Sequence, residues 1–158
     1  MTNRYSEPQA LNEVAEFHNI YDLPITDEPN VPSTERCTLR VNLIQEELNE
    51  LKEAIEQKDI VEVADALCDL QYVLSGAILE FGLADKFSDL FDEVHRSNMS
   101  KVCKSVDEAD VTQELYAREK DTSSYVRERN GEYLVFREED GKVLKSVNYS
   151  PADLARYL

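Results

Sequence analysis

Apolar residues recur at helical spacing through the first two thirds of the chain. Leu11, Val14, Ala15 and His18 share one side of a short segment from Pro8 to Asn19, after which Pro24, Pro29 and Pro32 exclude regular structure. From Ser33 to Gln57 the series Ile44, Leu48, Leu51, Ile55 follows the i, i+4, i+7, i+11 rule, which predicts a long helix with that stripe against a core. Asp59 is placed to cap a further helix, with Glu62 three residues on completing a capping box, so only a short turn near Lys58 separates antiparallel neighbours. This next helix, Ile60 to Phe81, carries Val63, Leu67, Leu70, Leu74, Ile78 and Phe81 on one stripe, with Ala66, Tyr72, Val73, Gly76 and Ala77 around much of the rest. Such a helix is buried on several sides, at the centre of a bundle or in a subunit interface. Gly82 ends it, and Asp85 to Asn98 forms another with Phe87, Leu90, Phe91 and Val94 as its buried face.

Beyond Lys101 the pattern weakens. Residues 103–133 read as a charged insertion with the composition of a mobile segment, a poor core element with a modest helical pattern from Glu108 to Lys120. Asn130-Gly131 and Asp140-Gly141 are turn dipeptides, and Tyr133 to Arg137 with Lys142 to Val147 predict a small hairpin about the second. The expected fold is mainly α, an antiparallel helical bundle with a small C-terminal β-hairpin. It is organised as one domain over 1–158: helical core 9–101, insertion 103–133, hairpin and tail 133–150.

Composition narrows the functions. A 158-residue chain with 42% hydrophobic residues can bury a real core. A net charge of −16 with only 17 Lys and Arg argues against duplex nucleic acid, which needs a basic stripe. Cys37, Cys68 and Cys103 show neither a disulfide framework nor zinc spacing, which points to a reducing, cytoplasmic setting. A polar Met1 to Gln9 and the lack of any apolar run near 18 residues suggest neither export nor a bilayer.

The acids carry the chemistry. At about 100° per residue, Leu43, Glu47, Glu50 and Ala54 form a stripe beside the apolar one, while Glu53 and Glu56 point away. Glu62, Asp65 and Asp69 share a face of the following helix by their i, i+3, i+7 spacing. Antiparallel pairing sets Glu50 level with Asp65 and Glu47 level with Asp69, with Glu62 one turn nearer the loop. Carboxylates converging in a partly dry site repel unless one protonates or a cation joins them. No Lys or Arg lies between Lys58 and Lys86, so a hard divalent metal is the simplest counter-charge. Against this stand two ordinary readings: acids at i, i+3 are usually a solvated face, and Glu62 serves the cap.

Glu47-x-x-Glu50 followed by Glu62-x-x-Asp65 resembles the signature of the all-α nucleoside triphosphate pyrophosphohydrolases, the MazG-like group that includes phosphoribosyl-ATP pyrophosphohydrolase and the dimeric dUTPases. Leu39-Arg40, the stretches Leu43 to Glu47, Ala64 to Leu70 and Val94 to Lys101, and the ending Asp140 to Lys145 with Tyr149 and Pro151 are also similar to that group. The resemblance spans Leu11 to Lys101 and Asp140 to Leu154. It implies magnesium, with manganese able to substitute, held by Glu47, Glu50, Glu62 and Asp65, and hydrolysis of a nucleoside triphosphate, deoxynucleotides included, to a monophosphate and pyrophosphate. Glu46 or Asp69 would orient the attacking water, and Asn98, Lys101 and Lys145 would contact phosphates. His18 would stack on a base, although a lone His on an amphipathic helix more often packs in the core, Lys101 would equally suit a helix C-terminus, and Arg96 reads as a surface residue. A homodimer or higher homo-oligomer is expected from the apolar 60–81 helix. The long 103–133 segment departs from close relatives and bears on substrate choice. Rival readings are a non-catalytic helical dimerisation module and a phosphoribosyl-ATP-specific enzyme; a ferritin-like site would need Glu-x-x-His pairs, and His18 and His95 are the chain's only histidines.

Overall fold

Pro32 and Ser33 open the 24-residue helix α2 (Thr34–Gln57), with the Ser33 hydroxyl accepting from Arg36 N. Before it comes α1 (Ala10–Ile20), and after it α3 (Ile60–Glu80). The α2–α3 turn is as short as the sequence suggests: Lys58 takes a left-handed φ of 58° and Asp59 caps α3 by accepting from Val61 N at 2.9 Å and Glu62 N at 3.3 Å. The capping box is only half formed, because the Asp59 N–H goes to Ala54 O at 3.1 Å and Glu62 stays exposed. This computed structural model describes residues 5–158, which gather into two units, one ending at Phe87 and the other beginning at Ser88.

In the first unit the proline-rich connection is tied down by its backbone. Thr26 N donates to Leu79 O and Asn30 N to Phe81 O, both at 3.0 Å, so the connection satisfies carbonyls at the end of α3. Gly82 makes that approach feasible. Its φ is +67°, and a Cβ there would lie 2.0 Å from Glu28 O.

Burial departs from the expected stripes. Leu48 and Ile55 of α2, and Leu67 and Leu74 of α3, are exposed, while Arg40, Ala54, Ala66, Ser75, Gly76, Ile78, Leu79 and Glu80 are buried. The inner faces of these helices hold small residues and a paired charge network, which an apolar pattern does not register.

The second unit has its own core. It contains α4 (Phe87–Met99, its first residue at the boundary), α5 (Val106–Lys120), β1 (Ser124–Arg129) and β2 (Glu132–Arg137). The strands pair antiparallel from Ser124 with Arg137 to Arg129 with Glu132. Asn130 and Gly131 both have positive φ, the hairpin geometry this dipeptide favours. The main hairpin therefore turns at Asn130-Gly131 rather than at Asp140-Gly141. The latter supports only a short return, with Leu144 N on Val135 O at 2.8 Å and a single bridge from Phe136 to Val143.

The segment expected to be a poor core element supplies core. Ala109 and Tyr116 of α5 pack with Cys103, Val135 and Leu144. On α4 the buried positions are Leu90, Glu93 and Ser97, whereas Phe91 and Val94 are exposed. Glu93 is buried because Arg96 and Asp153 N hydrogen-bond it, which holds its carboxyl down at about 2. Arg96 is more than a surface charge: it also donates to Ser150 Oγ and Pro151 O, both at 3.0 Å, and anchors the tail. No single helix among the described residues is long and apolar enough to cross a membrane.

Candidate active site

Glu47 stands at the centre of the acidic patch. It is half-buried on α2, and its Oε2 is buried without a hydrogen-bond partner. Burial raises its pKa first, and the charges of Asp69, Glu50, Glu46 and Asp65, in that order, raise it further. Four carboxylates from two helices thus act on Glu47, with Asp69 its strongest opponent. Glu62 is not among those charges and sits exposed in the first turn of α3.

A buried carboxylate oxygen without a donor, ringed by like charges, is relieved by a proton or by a cation. The donor set suits a hard divalent ion such as magnesium. Among the described residues no three Asp, Glu, His or Cys side chains are already closed around one point as a metal cluster. The fit therefore lies in donor type, helix placement and the orphaned oxygen.

A second polar cluster lies on the same helices. Arg40 is two turns before Glu47 on α2, 6% exposed, and donates to Glu80 Oε1 at 2.6 Å and to His18 Nε2 at 3.0 Å. Arg36 also pairs with Glu80. Burial acts to raise the Glu80 carboxyl, but the hydrogen bonds from Arg36 and Arg40 outweigh it and hold the group below the usual carboxylate range. His18 is 1% exposed and its Nδ1 donates to Pro24 O at 2.8 Å, so the packed reading of this residue describes its position.

An aromatic group escaped the sequence reading. Tyr72, one turn from Asp69, meets the Phe17 ring edge-on with centroids 5.6 Å apart, and Phe17 meets Tyr21 at 4.4 Å. All three are partly solvent-exposed. Hydropathy alone assigns Tyr72 to packing, and the spacing of Phe17 and Tyr21 on and just after α1 is the available signal.

The remaining residues of the expected site belong to the second unit. Asn98 Oδ1 accepts from Lys101 Nζ at 2.7 Å at the end of α4, and Lys101 shares a cavity with Lys145.

Two comparisons with known proteins bear on this arrangement. The sequence model for phosphoribosyl-ATP pyrophosphohydrolase matches residues 14–98, which include every acid of the patch. An uncharacterized protein of Acanthamoeba polyphaga mimivirus is 25% identical, over 92% of this chain and 95% of the relative.

Proposed function

Since this chain belongs to the phosphoribosyl-ATP pyrophosphohydrolase family, we propose that it is a magnesium-dependent nucleoside triphosphate pyrophosphohydrolase releasing a nucleoside monophosphate and pyrophosphate. The observation that carries the reading is Glu47, a carboxylate with a buried, donorless oxygen pressed by four other acids. Glu47, Glu50, Glu62 and Asp65 are the proposed ligands, and Glu46 or Asp69 the group that orients water. Bound magnesium would make that water nucleophilic at neutral pH and offset charge on the phosphate oxygens. Asp69 on α3 and Glu46 on α2 can each accept a proton from water, and the partly exposed Tyr72 ring is available to stack on a base. Asn98, Lys101 and Lys145 are the proposed phosphate donors.

The proposed assembly is a homodimer or larger homo-oligomer. Val41, Leu48 and Ile55 on α2 and Ile60, Leu67 and Leu74 on α3 each repeat every seven residues, and all six are 43% to 76% exposed. Two such apolar rows on one helical hairpin have the form of a seam for a second copy. Three free cysteines are in keeping with a cytoplasmic location.

The test is purified protein incubated with magnesium and a panel of nucleoside triphosphates, deoxynucleotides and phosphoribosyl-ATP, with pyrophosphate and orthophosphate measured separately. Pyrophosphate release that E50Q or D65N reduces by about 100-fold or more is expected. Inactivity on the whole panel would favour the non-catalytic dimerisation reading.

A further inference from the structure

The second unit contains a cavity of about 280 Å³ lined by Lys101, Lys120, Arg137, Lys142 and Lys145, with Tyr116 and Thr122, and no carboxylate. This is an unusual concentration of charge in a chain that carries 33 acids against 17 bases. Half of its eight lysines line this one space. Arg137 is matched by a bidentate contact with Asp140, at 2.8 and 2.7 Å. The ion pairs of the described residues use none of the four lysines.

Aromatic rings and an amide hold three of the four ammonium groups instead. Lys120 Nζ lies 4.4 Å from the centre of the Tyr116 ring, and Lys145 Nζ 4.2 Å from that of Tyr149. Lys101 Nζ donates to the neutral Asn98 side chain. The Tyr149 hydroxyl pKa is lowered, first by its hydrogen bond with Ser97 and also by the charges of Lys145 and Lys101, so those two lysines act on one place. Rings and amides position an ammonium but leave its charge uncompensated and N–H donors free. The backbone is fixed too, because Lys145 N donates to the Tyr116 hydroxyl at 3.1 Å.

We propose that this cavity is a binding site for an oligophosphate chain, either inorganic pyrophosphate or the phosphate tail of a nucleotide, with Lys120 and Lys142 as ligands alongside Lys101 and Lys145. Several cations lining one cavity are matched best by an anion carrying several charges at close spacing, which a phosphate chain supplies and a single sulfate does not. Lysines act as mobile point charges, so they select charge density rather than one planar geometry. The volume lies just below the roughly 300–1,000 Å³ of common ligand clefts, which suits a phosphate chain better than a whole nucleotide. That the chain is pyrophosphate or a triphosphate rests on the proposed reaction; the anionic preference rests on the cavity alone.

The experiment is calorimetric titration of the full-length protein, in EDTA to exclude metal bridging at the acids, with inorganic pyrophosphate, tripolyphosphate, orthophosphate and sulfate. Pyrophosphate and tripolyphosphate are expected to bind about tenfold or more tightly than orthophosphate or sulfate, with affinity falling as salt rises. K120Q/K142Q, which changes two exposed side chains, should keep its thermal transition and lose about tenfold or more in affinity. A nucleoside triphosphate binding like tripolyphosphate while its monophosphate does not would make the source a nucleotide tail; a triphosphate binding far more weakly than pyrophosphate would make it the free product. E50Q/D65N separates this site from the acid patch: it should lose hydrolysis yet bind pyrophosphate normally. Equal affinity in K120Q/K142Q and wild type, no binding in EDTA, or loss of binding in E50Q/D65N would each overturn the cavity's role. A protein that binds pyrophosphate here but hydrolyses no nucleotide would leave the cavity's role standing and remove the proposed reaction.

Discussion

Gly76 shows how tightly single residues are specified around the acids. An added Cβ would lie 2.5 Å from Arg40 Nη1 and 3.1 Å from His18 Nε2. By helix propensity alone Gly76→Ala should stabilise α3 by about 1 kcal/mol. In this position the methyl would push Arg40 off Glu80, leaving a carboxylate that is 1% exposed with Arg36 alone. Disturbing one partner of a buried pair costs about 3–5 kcal/mol, so the net expectation is a loss of about 2–4 kcal/mol. Urea denaturation of the variant decides between them by sign: a higher midpoint than wild type would mean that Arg40 moves aside freely. The same comparison explains why two glutamates on one hairpin differ so much. Glu80 receives two guanidinium groups and stays ionised with ease, while Glu47 has a donorless oxygen and only acids around it.

At the level of elements, α5 earns its place in the core through polar side chains. Glu108, Thr112 and Tyr116 are spaced by four residues and face the chain from 145 to 147. Tyr116 accepts from Lys145 N, Thr112 Oγ1 accepts from Val147 N at 3.1 Å, and Glu108 takes the Ser146 hydroxyl. Thr112→Val keeps the shape but leaves the Val147 N–H without its acceptor, a cost of about 1–3 kcal/mol. Faster amide exchange at Val147 and a lower melting temperature should accompany each other; unchanged exchange there would show that water or a neighbour takes over. This polar grip is also why the segment was hard to read in advance. Helices α2 and α3 were legible to within a residue or two, because Ser33, Lys58, Asp59 and Gly82 mark their ends by local chemistry. The inner faces were less legible, since Arg40, Ser75, Gly76 and Glu80 are buried by mutual pairing and small size. The hairpin was displaced because β1, Ser-Tyr-Val-Arg-Glu-Arg, alternates too weakly to announce a strand, although its Asn-Gly turn did. The spacing of the acids placed Glu47 and Asp69 level, and their mutual repulsion follows that pairing; the basic cavity needed long-range folding to gather residues from 101 to 145.

For the whole molecule, the exposed apolar rows set the question of assembly. Six large apolar side chains in two heptad-spaced rows leave more hydrocarbon in water than isolated surface residues ordinarily do. Burying each largely against a second copy is worth about 1.5–3 kcal/mol, so even partial burial can meet the cost of association. A stable interface would need about 1,200–2,000 Å² in total, and the length of α2 and α3, 24 and 21 residues, can supply it. Acidic residues oppose this, because a net charge of −16 on each copy repels at long range, although salt screens that repulsion over about 10 Å at 0.1 M. Assembly should therefore strengthen with ionic strength, the opposite of what an ion-pair interface would show. Light scattering after size exclusion should give at least twice the 18.1 kDa chain mass for wild type, and the single-chain mass for Leu48→Glu/Leu67→Glu. Both positions are exposed in the isolated chain, so the substituted protein should keep its helical content. A wild type that stays monomeric at high salt and high concentration would assign the two rows to a partner other than a second copy.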